Sequence, residues 1–312
     1  MINKKDSVLF RFVPTMKCNF RCQYCFVSNA VKENAETMFD KHSVNEWVEG
    51  LNQFDDYNIE LYFWGGEPFC IDGTYVFLRE AVKKENIISG FRIDTNAYFA
   101  DRIVRDCPSS KIKLNCSYHM QYHSLNDIFS KVKLLKKYDM VGMVNYVASE
   151  YNLSELKNKY GMNVKDLIEK FAEIDVFVNV AGDFKYANNP HYERYKEYKE
   201  FIMQFISPEE WDWLRGKEIT SFCSAGQKMF TVNHNGDFTS CISNEVYGNY
   251  FEGILKPAES ELKCSKCCKS IISYPFRKDN DFESVNSLLK YVKRNQEYRN
   301  RKLGKFKDFL FD

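Results

Sequence analysis

Between residue 7 and about residue 205 the chain alternates two patterns of apolar and polar positions. Short runs of strict alternation read as strands: "SVLFRFV" (7–13), "NIELYFW" (58–64), "FRIDTN" (91–96), "KIKLNCS" (111–117), "VGMVNYVA" (141–148) and "DVFVNVA" (175–181). The stretches between them carry helix-start signals. Ser43 with Glu46 and Ser124 with Asp127 have capping-box spacing, and Pro190 and Pro208 stand where a first helical turn would begin. Six strand-then-helix units in succession predict parallel strands joined by crossover helices, as a partial (βα)6 TIM-type barrel or an open doubly wound sheet. The alternation favours the barrel. Ile59, Leu61 and Phe63 share one face of the second strand, and Glu60, Tyr62 and Trp64 share the other. Phe91, Ile93 and Thr95 oppose Arg92, Asp94 and Asn96; Ile112, Leu114 and Cys116 oppose Lys113, Asn115 and Ser117. A sheet covered on both faces reads as continuous apolar runs. One apolar and one polar face instead predict helices outside and a wet lumen inside.

The pattern changes after residue 215. "KMFTVNHNGDFTSC" is two short alternating runs around Asn235-Gly236, a hairpin signal. A helix-like tail over 281–307 follows, with eight Lys or Arg between Lys290 and Lys307 against one Glu. Its basic side fits a solvated helix face better than a patch for RNA or an acidic peptide. The expected fold class is therefore α/β, a partial barrel over 1–215 with a small hairpin-plus-helix domain over 216–312 packed on it.

Composition narrows the function without fixing it. The chain has 312 residues, 44% hydrophobic and 28% charged, with net charge +1, as in an ordinary globular protein. That charge gives no whole-molecule attraction to nucleic acid or anionic membrane. No apolar run suits a signal peptide or a bilayer span, so the expected location is cytoplasmic, with no membrane partner. Eleven cysteines in a reducing compartment are not a disulfide framework. They gather at the two ends: Cys18, Cys22 and Cys25, and then Cys223, Cys241, Cys264, Cys267 and Cys268, which predicts metal sites at both.

Three thiolates are one short of a closed tetrahedral zinc or iron–sulfur site, so the first group leaves a position open. It follows the first strand directly, and "WGGEPF" (64–69) follows the second, so both lie where the active sites of (βα) barrels collect. The two glycines there would let backbone approach a ligand. A zinc knuckle completed by a distant Cys or His is the plain alternative. The second group could fill a tetrahedral set: Cys223, then Cys241 at the end of the hairpin, then the CxxC pair Cys264 and Cys267, with zinc or iron–sulfur both allowed by spacing.

Cys18, Cys22 and Cys25, with Tyr24 before the last, resemble the CxxxCxΦC motif of the radical S-adenosylmethionine enzymes, and Gly65-Gly66-Glu67-Pro68 is similar to that family's GGEP motif. The resemblance covers residues 7 to about 205. It implies a [4Fe–4S] cluster with one open iron, chelated by the amino and carboxylate groups of S-adenosylmethionine. It also implies that Glu67, with backbone around Gly65 and Gly66, holds the methionine amino group, and that backbone of Tyr24 meets adenine. Asn96, in "DTNA", and Ser117 would stand at further cofactor-facing positions, Ser117 toward the ribose. Cys223, Gly236, Cys241 and the later CxxC look like the twitch relative of the SPASM extension, implying one auxiliary [4Fe–4S] cluster with Cys267, or alternatively Cys268, as last ligand. Flavodoxin or ferredoxin is the implied reductant.

What the family resemblance implies for activity is hydrogen-atom abstraction by a 5′-deoxyadenosyl radical. Twitch and SPASM relatives suggest a ribosomally made peptide as substrate, cross-linked, oxidised or epimerised. Cys18 stands so early that no N-terminal peptide-recognition domain is expected. The alternative is a dehydrogenase of a small molecule such as an aminocyclitol or sugar, and a more distant one is a zinc-binding RNA module. Arg11, Tyr62, Arg92, Asp94, Asn115, Asn145 and Asn179 are the lumen residues able to orient a polar substrate. Cys70, Cys107 and Cys116 read as buried small apolar groups, and Cys70, just past GGEP, is in addition a candidate hydrogen-atom donor. His119 and His123, after the fourth strand, fit capping and surface roles better than substrate contact.

Overall fold

The structure is a computed structural model that describes residues 6–25, 27–187, 189–214, 221–223, 225–240, 245–259, 262–264, 287–302 and 305–310. Its centre is a run of parallel strands: β1 (Asp6–Phe12), β2 (Tyr57–Phe63), β3 (Gly90–Thr95), β4 (Ile112–Ser117), β5 (Val141–Ala148) and β6 (Val178–Gly182). They lie side by side in chain order, and the sheet does not close on itself. This is the expected partial barrel, with strand ends within about three residues of the sequence pattern.

One face of every strand is apolar for the expected reason. Val8, Phe10 and Phe12, Ile59, Leu61 and Phe63, and Phe91 and Ile93 are all buried in one continuous core under the crossover helices. Trp47, from the helix Val44–Gly50, meets Phe12 edge-on at 5.6 Å, and its indole N–H donates to the Met38 carbonyl at 2.7 Å. Burial of each such side chain stabilises the fold by roughly 1.5–3 kcal/mol. The Ser43–Glu46 capping box forms in full. Ser124 caps the helix Leu125–Lys137, and Pro208 opens the helix Pro208–Leu214. Pro190 does not open a helix. It stands in a turn, and the next helix is Tyr195–Ile202.

The expected hairpin forms from β8 (Met229–Val232) and β9 (Asp237–Thr239), with Gly236 at φ +86° in its turn. It does more than pack on the barrel. Numbering β7 (Ser221–Cys223), β10 (Val246–Asn249), β11 (Ile254–Leu255) and β12 (Leu262–Cys264) in chain order, the sheet runs β11-β10-β9-β8-β1-β2-β3-β4-β5-β6. β8 joins β1 in parallel, Arg11 opposite Thr231, so the C-terminal part extends the same sheet.

The polar face is not the wet lumen the sequence suggested. Arg11, Tyr62 and Arg92 share one register row and are buried, as are Asn58, Glu60, Asn115 and Asn179. Part of the cover is the C-terminal helix Ser287–Lys302, expected as a solvated basic face. Leu288, Tyr291 and Val292 cluster with Met143, a Cβ on Gly142 would come 2.3 Å from Leu288 Cδ2, and Arg299 bonds the Val178 carbonyl. Lys290, Lys293 and Arg301 do face solvent. The basic residues dominate the composition but mostly occupy the outer side of an amphipathic helix. Leu288→Ala should therefore cost about 2–4 kcal/mol in denaturant unfolding, the price of a core cavity; a solvated helix would lose under about 0.5 kcal/mol. Among the described residues no helix is long and apolar enough to cross a membrane.

Candidate metal and cofactor site

Two loops meet at the C-terminal ends of β1 and β2. Gly66 N–H donates to the Thr15 carbonyl at 3.0 Å and Glu67 N–H to the Lys17 carbonyl at 2.8 Å. The glycines serve this approach. A Cβ on Gly66 would sit 2.1 Å from the Lys17 carbonyl oxygen, and Gly65 has φ +137°. The close neighbour of the two glycines is thus the backbone leading into the cysteines, rather than a ligand.

Glu67 is fully buried, and protein donors fill most of its capacity. Oε1 accepts from Thr95 Oγ1 at 2.8 Å and Phe69 N–H at 3.2 Å, and Oε2 accepts from Asn96 N–H at 2.6 Å. The carboxylate therefore ties the second loop to the end of β3. Asn96 goes on to donate through Nδ2 to Asn19 Oδ1 at 2.7 Å, inside the first loop. Ala97, next in the chain, takes φ +57°, a conformation that costs an alanine energy and that surrounding structure must enforce.

Burial pushes the Glu67 carboxyl up to about 7, against its donors. In the unfolded chain it ionises near 4.5, so the folded state holds the proton more tightly and loses stability as pH rises from about 4.5 to about 7, by at most about 3 kcal/mol. Glu67→Gln should remove that slope. The stability difference between variant and parent, measured by urea unfolding of metal-free protein, should shift toward the variant between pH 5 and 7.5. A constant difference would contradict it.

The cysteine loop is fastened to the β4 loop. Phe20 stacks on Tyr122 with ring centres 4.1 Å apart, and Arg21 N–H donates to the Tyr122 hydroxyl at 2.7 Å. His119 Nδ1 lies 2.7 Å from the Tyr24 hydroxyl and 3.3 Å from Cys22 Sγ. His123 is buried, Nδ1 2.5 Å from Asp127 Oδ2 and Nε2 2.9 Å from the Asn96 carbonyl. Neither histidine has the surface role expected of it. Asp127 faces His123 in place of completing a capping box, and the spacing His119, His123, Asp127 is the signal that could have shown this.

Cys18, Cys22 and Cys25 are each part-exposed. Burial holds the Cys18 thiol above its ordinary range, and burial followed by the charges of Cys25 and Cys18 pushes Cys22 up to about 12. The three thus lie within electrostatic reach of one another. Among the described residues no three His, Cys, Asp or Glu side chains are gathered for a single ion. A [4Fe–4S] cubane takes each thiolate on a different iron. The donor set fits it, with the buried Lys32, whose ammonium donates to the Phe20 carbonyl at 3.2 Å, adding positive charge beside the loop.

The remaining candidates are placed as follows. Pro68 is buried beneath the loop, and Ser117 is half-buried, opposite Asn145. Tyr62 Oη donates to Asp94 Oδ2 at 2.7 Å, Asn115 Nδ2 to Asp94 Oδ1 at 3.0 Å, and Asn179 Nδ2 to Asn145 Oδ1 at 2.8 Å. Arg92 lies over the Tyr62 ring at 4.1 Å. The Cys70 thiol stands 3.7 Å from Asn19 Oδ1 and is pushed up to about 12, first by burial. Cys107 and Cys116 are buried, as expected. Of the second cysteine group, Cys223 ends β7 and Cys264 ends β12; these strands pair antiparallel, with Leu262 opposite Cys223 and Cys264 opposite Ser221. Cys241, Cys267 and Cys268 lie outside the described residues.

Residues 8–165, just over half of the chain, match the family model described as a 4Fe-4S single cluster domain. No curated protein matches. Among solved structures, the chain is similar to anSMEcpe with bound AdoMet (16% identity, 95% of this chain and 98% of that one, TM-score 0.47). It is also similar to Streptococcus suis SuiB bound to its precursor peptide SuiA (17%, 99% and 75%, TM-score 0.48). BtrN in complex with AdoMet and 2-DOIA matches at 13% identity over 94% and 92%, with TM-score 0.38. With the CxxxCxxC and GGEP motifs both inside the matched region, the chain belongs to the 4Fe-4S single cluster domain family.

Proposed function

We propose that this chain is a radical S-adenosylmethionine enzyme that matures a ribosomally made peptide, by oxidative cross-linking or epimerisation. When bound, the cluster and S-adenosylmethionine supply a 5′-deoxyadenosyl radical that takes a hydrogen atom from substrate. The observation that carries the reading is the docking of the three-cysteine loop onto the GGEP loop through Thr15 and Lys17, at the C-terminal end of the covered polar face. Cys18, Cys22 and Cys25 would hold three irons. The carbonyls around Gly65 and Gly66 would accept from the methionine ammonium, with Glu67 holding the loop in place. Asn96, Ser117 and backbone of Tyr24 would line the nucleoside. Phe20 and Tyr122, stacked on each other, and His119, beside Tyr24, would back the loop's far side.

The peptide reading draws on the twitch-like pattern of Cys223, Gly236, Cys241 and the CxxC, which would hold an auxiliary [4Fe–4S] cluster fit to accept an electron, with a flavodoxin or ferredoxin as donor to the first cluster. The enclosed polar rows, Asp94 with Asn115 and Asn145 with Asn179, favour a second reading, dehydrogenation of a small polar molecule. Anaerobic reduced protein with S-adenosylmethionine should form 5′-deoxyadenosine and methionine; protein with intact clusters that forms neither refutes the reading. Mass spectrometry of a co-expressed precursor peptide separates the alternatives. Loss of two hydrogens marks oxidation, unchanged mass with altered stereochemistry marks epimerisation, and an unmodified peptide supports the small molecule.

A further inference from the structure

The covered polar face holds a cation whose side chain has no hydrogen bond or ion pair among the described residues, although the buried Asp94 carboxyl lies within its field. Arg11 is 8% exposed, its Nε is buried without a hydrogen-bond partner, and it makes no hydrogen bond or ion pair among the described residues. Its guanidinium carbon lies 5.5 Å from the Trp64 ring and 6.0 Å from the Tyr62 ring. Trp64 Nε1 is also buried and lacks an acceptor. A guanidinium stays protonated, so it can only be satisfied from outside itself, and a buried unpaired charge is costly. The neighbouring groups do not supply the answer. Asp94 acts on Arg11 only through its field, its oxygens being occupied by Tyr62 and Asn115; Glu60 has interactions of its own, and Lys113 pairs with Asp139 at 2.8 Å at the N-terminal ends of the strands. Arg92 has its own interactions beside Tyr62.

We propose that Arg11 and the Trp64 indole N–H form a carboxylate-recognition subsite, and that the substrate carries a carboxylate into the lumen to meet them. This rests on the reading above, with substrate reaching the covered polar face from the cysteine-loop end. A carboxylate would supply the acceptor that the Arg11 side chain lacks among the described residues, and the planar guanidinium can grip both of its oxygens while the indole adds a third donor. A dianion is disfavoured by Asp94 nearby. Depth fits this role. The Arg11–Tyr62–Arg92 row lies about 7 Å below the row holding Asp94 and Asn115, and that row in turn lies below Ser117 and Asn145 at the cofactor end. A substrate anchored by its carboxylate at Arg11 would extend its other end toward the cysteine loop. The carboxylate could belong to a free small acid or to a Glu or Asp side chain of a peptide.

The test is binding to anaerobically reconstituted holoprotein with S-adenosylmethionine present. The probes are glutarate and an N-acetylated, C-amidated Gly-Glu-Gly tripeptide, each against its neutral counterpart, glutaramide or the capped Gly-Gln-Gly, by calorimetry. The acids should bind and the amides should not. Binding of glutarate alone identifies a free acid, and of the peptide alone an acidic peptide. Arg11→Gln should weaken acid binding about ten- to hundredfold, the worth of one charge-assisted interaction. Arg11→Met without probe should melt at or above the parent temperature, because it removes an unpaired buried charge, with the cluster absorbance near 400 nm retained. The proposal is overturned by absence of carboxylate-dependent binding in the parent, or by equal binding to Arg11→Gln. It is also overturned by a fall of several degrees in Arg11→Met, or by loss of S-adenosylmethionine binding with acid binding intact. Failure here with normal 5′-deoxyadenosine formation removes the subsite alone.

Discussion

Replacing Cys18, Cys22 or Cys25 by Ala, singly, should reduce 5′-deoxyadenosine formation to background while leaving the protein folded. A three-thiolate site with one iron left open for substrate chemistry has no spare ligand. Removing one thiolate leaves two irons without protein anchors, and His119, 3.3 Å from Cys22 Sγ, has the same Nδ1 engaged by the Tyr24 hydroxyl at 2.7 Å. The fold does not depend on these thiols. The loop is held by Thr15, by the Phe20–Tyr122 stack and by Arg21 on the Tyr122 hydroxyl. Unfolding of the metal-free variants should therefore change by about 1 kcal/mol or less, in the range of a surface substitution. Cys107→Ala is the matched control. Cys107 is buried at the end of the helix Ala100–Asp106, away from both loops, and its variant should keep its activity. Iron analysis and product chromatography on the four variants decide the matter. Retained activity in any of the first three would remove that residue from the site.

Gly66→Ala should be the most damaging single methyl that can be added to the two site loops. The added Cβ would meet Lys17 O at 2.1 Å, Met16 O at 2.5 Å and Met16 C at 2.6 Å, all backbone, so no rotamer change relieves it. Either the two loops separate, losing the bonds from Gly66 and Glu67 to Thr15 and Lys17, or the strand ends distort. Overpacking of this kind costs about 1–3 kcal/mol or more, and here it falls on the contact that sets the height of the cysteines above the sheet. We expect loss of at least that stability, together with loss of cluster incorporation. Gly161→Ala serves as comparison. Gly161 has φ +65°, but an added methyl there would meet nothing within 4 Å, so its cost should be about 1 kcal/mol of backbone strain, with the cluster intact. Equal effects at the two positions would mean that the GGEP contact does not shape the site.

These two expectations differ in how far the sequence alone reaches. The cysteine triplet and GGEP are legible because local spacing carries them, and strand alternation then sets both at one end of the sheet. Alternation also identifies Arg11, Tyr62, Arg92, Asp94, Asn115, Asn145 and Asn179 as sharing the polar face. It does not say what covers that face. The cover comes from far along the chain: Tyr291 bonds Asn179, and Leu288 packs on Gly142. No local pattern encodes a parallel pairing of β8 with β1 across more than two hundred residues. The reason for the glycines was hidden for the same cause, since their neighbour is another loop. His119 and His123 read as surface groups in a polar stretch, and only the folding of β3 beside β4 brings Asn96 against His123.

The central claim is an iron site with one coordination position open to S-adenosylmethionine. Electron paramagnetic resonance of the dithionite-reduced, anaerobic protein tests it directly, recorded before and after S-adenosylmethionine is added to the same sample. A ligand arriving on the open iron changes the symmetry of that site, so the account predicts that the signal of a reduced [4Fe–4S] cluster shifts on addition, and that the shift is absent in Cys22→Ala. Spectra that superimpose in the parent protein would show the position already filled, and would contradict it.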